Sequence, residues 1–218
     1  FICTMKVNIY VANESHVCYA DQICELVYIS AMERGTGIAK RTPEYIMEKM
    51  RDGKAVIALT EDGELAGYSY IETWSHTKFV ANSGLIVAHK FRQTGLAKRI
   101  KQRIFELSRE MYPYAKIFSI TTGLAVMKIN SAMGYKPVPF SELTDDMEFW
   151  QGCKGCRNFD ILERNNYKMC LCTALLYDPA KEKEHKALKE QNKKKNIFSI
   201  VGKGVIYPFK KVNNLISK

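Results

Sequence analysis

The sequence predicts a mixed α/β (α+β) fold, one sheet with helices on both faces. Helical and strand-like periodicities alternate along most of the chain, and several strand-like runs are joined by hairpin signals rather than by helices. The length of 218 residues suits one full domain with an extension and is marginal for two independent cores. The composition, 46% hydrophobic and 26% charged, is that of an ordinary globular chain. No apolar run approaches the roughly 20 residues needed to span a bilayer, which argues against a membrane protein.

The elements follow in order. Val7–Ala12 reads as a strand, and Asn13-Glu14-Ser15 offers caps for a helix whose apolar positions are Ala20, Ile23, Cys24, Val27 and Ala31. Thr42-Pro43 starts a second helix that runs to about Arg51. Ala55–Thr60 and Leu65–Thr73 form a hairpin over Asp62-Gly63, and Val80–Val87 is a further strand. Gly95 to about Arg109 is an amphipathic helix with Leu96, Ile100, Ile104, Phe105 and Leu107 available for the core. Ile117–Thr121 is a strand, Leu124–Met133 a short helix ended by Gly134, Tyr135–Val138 extended, and Met169–Tyr177 a late strand.

The most informative segment is Arg92-Gln93-Thr94-Gly95-Leu96-Ala97, set between a strand and a helix. A tight glycine turn at that junction aims free backbone N–H groups at an anion, and small residues let a phosphate approach the chain. Arg92, Lys98 and Arg99 add positive charge, which suits a pyrophosphate. The segment is not a P-loop, because no Gly-Lys-Ser/Thr is present, and it lacks the glycines of a dinucleotide fingerprint.

The stretch from Val87 through Ile100, together with the later Met133-Gly134-Tyr135, resembles the acetyl-CoA-binding segment of the GNAT N-acetyltransferase superfamily. The resemblance covers about residues 6–140. It implies a mostly antiparallel twisted sheet whose fourth and fifth strands splay to admit the pantetheine arm of acetyl-CoA or another acyl-CoA. Ile86 and Val87 would pair with that arm, and Arg92, Gln93, Thr94, Gly95, Leu96, Ala97 and Lys98 would hold the pyrophosphate. The implied reaction is direct acyl transfer to an amine, with proximity and orientation supplying much of the acceleration. The chain also looks like the members that N-acylate glutamate in arginine biosynthesis.

Such a transfer needs an acid for the departing thiolate and a base for the incoming ammonium. Where many members of the family carry a Tyr as the acid, this chain has Asn130, which is no comparable donor. Tyr135, Tyr112 and Tyr114 are nearby in sequence, and Tyr135 is taken as the candidate. Glu72 and His76 are the candidates for the base. Between the first two helices, Arg34, Lys40 and Arg41 suit a carboxylate-bearing acceptor such as an amino acid; a solvated basic loop is the competing reading.

Cys153, Cys156, Cys170 and Cys172 form a C-x2-C…C-x-C pattern with three readings, a structural zinc site, reduced buried thiols, or a redox or catalytic pair. Cys18 and Cys24 fall in a helical pattern and read as core. Seven cysteines, with the first five residues too short for a secretory signal, point to a reducing, cytoplasmic location.

Residues 178–218 hold eleven Lys against four acids, so this segment carries +7 of the net +10. The expected organisation is a transferase domain over 1–178, with a Cys-bearing insertion at about 141–168, and a basic extension over 179–218. The apolar stretch Ile197–Ile206 suggests that the extension docks on the body or on a second subunit, as in a homodimer. Two alternatives to the enzyme stand: a non-catalytic CoA-binding domain, and a nucleic-acid-binding or adaptor module using the tail and a zinc knuckle. The tail's basic run has no interleaved aromatics, which counts against base stacking.

Overall fold

The computed structural model describes residues 6–34 and 41–184, with the side chain of Arg34 outside that set. By internal contacts the chain divides into two units, Phe1–Pro179 and Ala180–Lys218. Of the second, only the helical residues 180–184 are described, so the segment Ile197–Ile206 lies outside the described residues. No helix among the described residues is long and apolar enough to cross a membrane.

The first unit is a seven-stranded sheet, built from β1 (Val7–Val11), β2 (Ala55–Thr60), β3 (Leu65–Trp74), β4 (Phe79–Val87), β5 (Lys116–Thr121), β6 (Lys136–Val138) and β7 (Thr173–Tyr177). Its order is β1-β2-β3-β4-β5-β7-β6, antiparallel throughout except for the parallel pair β4–β5. The helices are α1 (Ala20–Arg34), α2 (Pro43–Arg51), α3 (Leu96–Met111), α4 (Leu124–Ala132), α5 (Met147–Gln151) and α6 (Phe159–Arg164).

The local signals act where the sequence places them. Thr42 caps α2 through Tyr45 N, with Pro43 at the first position. Asn13 and His16 form a reciprocal cap on a 3-10 turn, Glu14–Tyr19, that leads into α1. Cys18 sits in that turn and is exposed; it is not a core residue, whereas Cys24 packs partly against the core.

Alternation along the strands sends successive side chains to opposite faces. Ala66, Ile71, Val80 and Ile117 meet Ile100 and Ile104 of α3 on one face. On the other, Tyr68, Tyr70 and Ile86 meet Ile23, Ile46 and Met50 of α1 and α2. Beside them on that same face, Phe118 and Leu176 meet Phe149, Trp150 and Leu162 of the α5–α6 insertion. The late strand begins at Thr173 rather than Met169, because its partner β5 ends at Thr121, opposite Thr173.

Two irregularities position everything that follows. The β3–β4 register shifts between Tyr68 and Tyr70, so β4 carries one extra residue between Ser83 and Ile86. Gly84 lies in that bulge with φ +64°, and a Cβ there would stand 2.2 Å from the Tyr70 ring. In addition, β4 pairs with β5 over only three residue pairs, ending at Ala81↔Phe118, after which the strands part.

Gly63 in the β2–β3 hairpin also has positive φ, but its Cβ would meet only Tyr19 Oη at 3.5 Å. Gly84→Ala is therefore expected to cost about 3 kcal/mol and Gly63→Ala about 1 kcal/mol in urea unfolding. Equal losses would contradict the packing of Tyr70 against the bulge.

Candidate functional site

The turn from β4 to α3 is the first component. Gln93 and Gly95 take positive φ, +65° and +81°, and Gly95 starts α3 with no side-chain cap. The amides of Gln93, Thr94, Gly95, Leu96 and Ala97 donate no well-formed hydrogen bond to a described residue. They are a row of orphan donors at the positive end of a 16-residue helix, the arrangement that binds anions. A Cβ on Gly95 would meet nothing within 4 Å among the described residues, so the turn is not closed over at that position.

Arg92 behaves differently from its neighbours. Its amide donates to His89 O, and its guanidinium reaches Val87 O (3.2 Å), Glu33 (2.7 Å) and Ser30 Oγ (3.1 Å). It ties the turn to α1 and β4 instead of adding an amide to the row. Lys98 is exposed beside the turn.

The second component is the gap that opens where β4 leaves β5. A cavity of about 750 Å³ runs through it, lined among others by Asn82–Leu85 of β4, Ser119–Thr121 of β5 and the start of α4. Beyond Ala81, β4 has no partner strand on its β5 side among the described residues, so its backbone groups line this gap. Ile86 and Val87 lie at the end of that edge nearest the turn and are buried.

On the α1–α2 face of the gap stands a polar cluster. Glu72 is buried and accepts from Tyr45 Oη (2.5 Å) and Ser83 Oγ (2.6 Å). Arg41 reaches the same carboxylate at 3.5 Å and donates through Nε to Tyr70 Oη at 2.9 Å. Burial, reinforced by the Glu72 carboxylate, pushes the Tyr45 hydroxyl well above its ordinary pKa and keeps it a proton donor to Glu72. Arg41 and Glu72 both line the cavity.

The opposite, α3 face carries a second cluster. Asn82 donates to Ser108 Oγ (2.7 Å) and accepts from Tyr135 Oη (3.0 Å). Lys101 is 1% exposed, lines the cavity, and directs Nζ toward Asn82 O at 3.5 Å. Burial lowers its pKa to about 7. Asn130 is fully buried, and neither atom of its amide finds a partner among the described residues.

The site thus collects only part of the residues expected from sequence. Glu72 and Arg41 come together, 31 positions apart in sequence. His76 lies in the exposed β3–β4 turn with φ +54° and does not line the cavity. Tyr135 is buried, its hydroxyl engaged by Asn82, and does not line the cavity either. Lys40 and the side chain of Arg34 lie outside the described residues. Sequence reasoning missed Tyr45, Tyr70, Ser83 and Lys101. Lys101 had a signal, since it falls on the stripe of Ala97, Ile104 and Ser108 within an amphipathic helix.

The zinc expectation is not supported. No group of three or more His, Cys, Asp or Glu among the described residues is arranged to hold a metal ion. Cys170 and Cys172 precede β7 instead of lying in it, and Cys170 Sγ contacts Asn158 O at 3.8 Å. Burial pushes the Cys153 thiol up to about 11 and the Cys172 thiol up to about 12, which favours thiols over the thiolates that zinc requires. Cys153, Cys156 and Cys172 instead line the cavity, where the insertion walls its Glu72 side.

No family model matches the sequence, and comparison with curated proteins finds no match. The fold does match solved structures. N-acetylglutamate synthase from Neisseria gonorrhoeae, complexed with coenzyme A and N-acetyl-glutamate, is similar with a TM-score of 0.57 and 17% identity over 79% of this chain. The chain spans only 35% of that larger protein. A putative acetyltransferase from Acinetobacter baylyi matches with a TM-score of 0.57 and 13% identity over 82% of this chain and 94% of its own. A GNAT superfamily phosphinothricin acetyltransferase from Sinorhizobium meliloti, in complex with acetyl-CoA, matches with a TM-score of 0.55 and 12% identity, over 80% of this chain and 89% of its own. The chain therefore has the GNAT acetyltransferase fold, with the expected splay between β4 and β5.

The buried lysine makes stability depend on pH. Its folded pKa of about 7 lies below the ordinary lysine value of 10.5, so the unfolded chain binds more protons between those values. The penalty of burying the charge is full below pH ~7 and is relieved as pH rises toward ~10. Lys101→Met is expected to stabilise the fold at pH 6 by a few kcal/mol, on the order of ~3, and to flatten this rise in urea titrations. A variant no more stable than the parent at pH 6 would contradict the burial of an unpaired ammonium.

Proposed function

We propose that this protein transfers an acyl group, acetyl in the simplest case, from acyl-CoA to an amine. One observation carries the reading. The amides from Gln93 to Ala97, without partners among the described residues, lie one turn beyond a strand whose edge past Ala81 lines a cavity of about 750 Å³. The amides suit the pyrophosphate, and Lys98 beside them adds charge for the remaining phosphate. The β4 edge through Ile86 and Val87 offers backbone partners for the amides of a pantetheine arm. That arm would bring the thioester to the fork beyond Ala81. The transferase domain on this reading is residues 1–178.

The acceptor enters from the α1–α2 face. Glu72, held by Tyr45, Ser83 and Arg41, has lone pairs to spare and takes the proton from the incoming ammonium, directly or through water. Arg41, half-buried at the same wall, suits an acceptor that bears a carboxylate, such as an amino acid of the glutamate type. The six cysteines of the described residues are free, which supports a reducing location such as the cytoplasm.

Calorimetry with CoA and release of free thiol from acetyl-CoA across a panel of amines and amino acids test this reading. Saturable CoA binding is expected in the wild type. Gly95→Val should weaken it at least about tenfold, because a β-branched side chain is strained at φ +81° and distorts the amide row. Absence of CoA binding by the wild type would sink the proposal.

A further inference from the structure

Lys101 has no part in the function argued so far, yet its burial is expensive. The side chain is 1% exposed and forms no ion pair with a described residue. Its polar contact is a 3.5 Å approach to Asn82 O, supplemented by the Tyr135 ring at 5.6 Å. Leu or Met would fill the same place on the apolar stripe of α3 at no such cost. Its location is specific: Asn82 directly follows Ala81, the last β4 residue paired with β5, so Nζ stands at the fork and on the cavity wall.

The fork has different chemistry on its two faces. Tyr70↔Ser83 and Glu72↔Ala81 are cross-strand partners whose side chains share the α1–α2 face, where Ser83 bonds Glu72. Ile71↔Asn82 face α3, where Asn82 meets Ser108, Tyr135 and Lys101. A carboxylate and an amine therefore flank the gap from opposite sides. The α4 side chain Asn130, buried in the same domain, carries no titratable proton.

We propose, resting on the acyl-transfer reading above, that Lys101 is the proton donor to the departing thiolate. The acceptor nitrogen bonds to the thioester carbonyl carbon, and the C–S bond breaks. The Lys101 ammonium gives its proton to the sulfur, so CoA leaves as the thiol. Glu72 passes the ammonium's proton to solvent before attack and takes the second proton that nitrogen loses as the amide forms, and Lys101 is reprotonated from solvent before the next turnover. Burial holds Lys101 near 7, below the value of about 8.5 for an ordinary thiol, so the transfer runs downhill. Among the described residues, the titratable groups around the gap are Tyr135 on the lysine's own face, and Tyr68, Tyr70, Glu72, Arg41, Cys153, Cys156 and Cys172 on the other.

The test compares wild type with Lys101→Met, a change that removes the amine and keeps the volume. Desulfo-CoA should bind both within about twofold, since the pyrophosphate and pantetheine contacts are untouched. With acetyl-CoA and hydroxylamine, an acceptor already neutral at pH 7, Lys101→Met should lose about 100-fold in kcat. The wild-type rate alone should fall as pH rises above ~7. The same pH profile in the two proteins, or an unchanged rate in Lys101→Met, would overturn the assignment. Failure of wild type to bind either CoA or desulfo-CoA would overturn the acyl-CoA reading itself, and this assignment with it.

Discussion

The site depends on a sheet that stops pairing halfway along. β4 and β5 run together for three residue pairs and then part, leaving the rest of β4 with an edge of backbone donors and acceptors inside the protein. Buried backbone groups are almost always paired, so such an edge is costly unless a ligand completes it. The bulge at Gly84 contributes to the same end. It adds one residue to β4, which reverses the facing of its side chains beyond Ser83 and brings Ile86 against the α1–α2 core. Both irregularities sit in the middle of the sheet, where packing on both faces holds them in place.

Around that edge the fold divides its labour by face. The helix pair α1–α2 and the α5–α6 insertion share one side, where Tyr45 of α2 and Arg41 just before it converge on Glu72. The α3 side offers Asn82, Ser108 and Lys101 within an otherwise apolar layer. Placing a carboxylate and an amine on opposite faces keeps them from forming an ion pair with each other. Each can then handle its own proton, an arrangement suited to an exchange in which one partner loses a proton and the other gains one.

Much of this architecture was legible in the sequence, because it rests on local signals. The bounds of α2 follow from Thr42 and Pro43, and the β2–β3 hairpin from Asp62-Gly63. The turn at Gly95 could be read because an anion cradle is made of consecutive backbone amides, and a short string of residues specifies it. The clusters at the fork could not be read in this way. Tyr45 and Glu72, or Asn82 and Tyr135, meet only because the strands and helices stack in one order, and neither pair leaves a periodic trace. His76 and Tyr135 had suitable chemistry but the wrong placement, one in an exposed turn and the other in the core. The cysteine spacing resembled a metal knuckle, yet Cys153, Cys156 and Cys172 line a cavity. Lys101 stood in plain view as a charge on an apolar stripe; only its position at the fork gives that anomaly a meaning.

The central claim is that the open β4 edge and the amide row receive one continuous ligand. Amide hydrogen exchange with and without acetyl-CoA tests this most directly. The account predicts protection over residues 82–87 and 93–97, together with the start of α4, and little change in β1 or β6. Protection confined to other regions, or none at saturating acetyl-CoA, would contradict it.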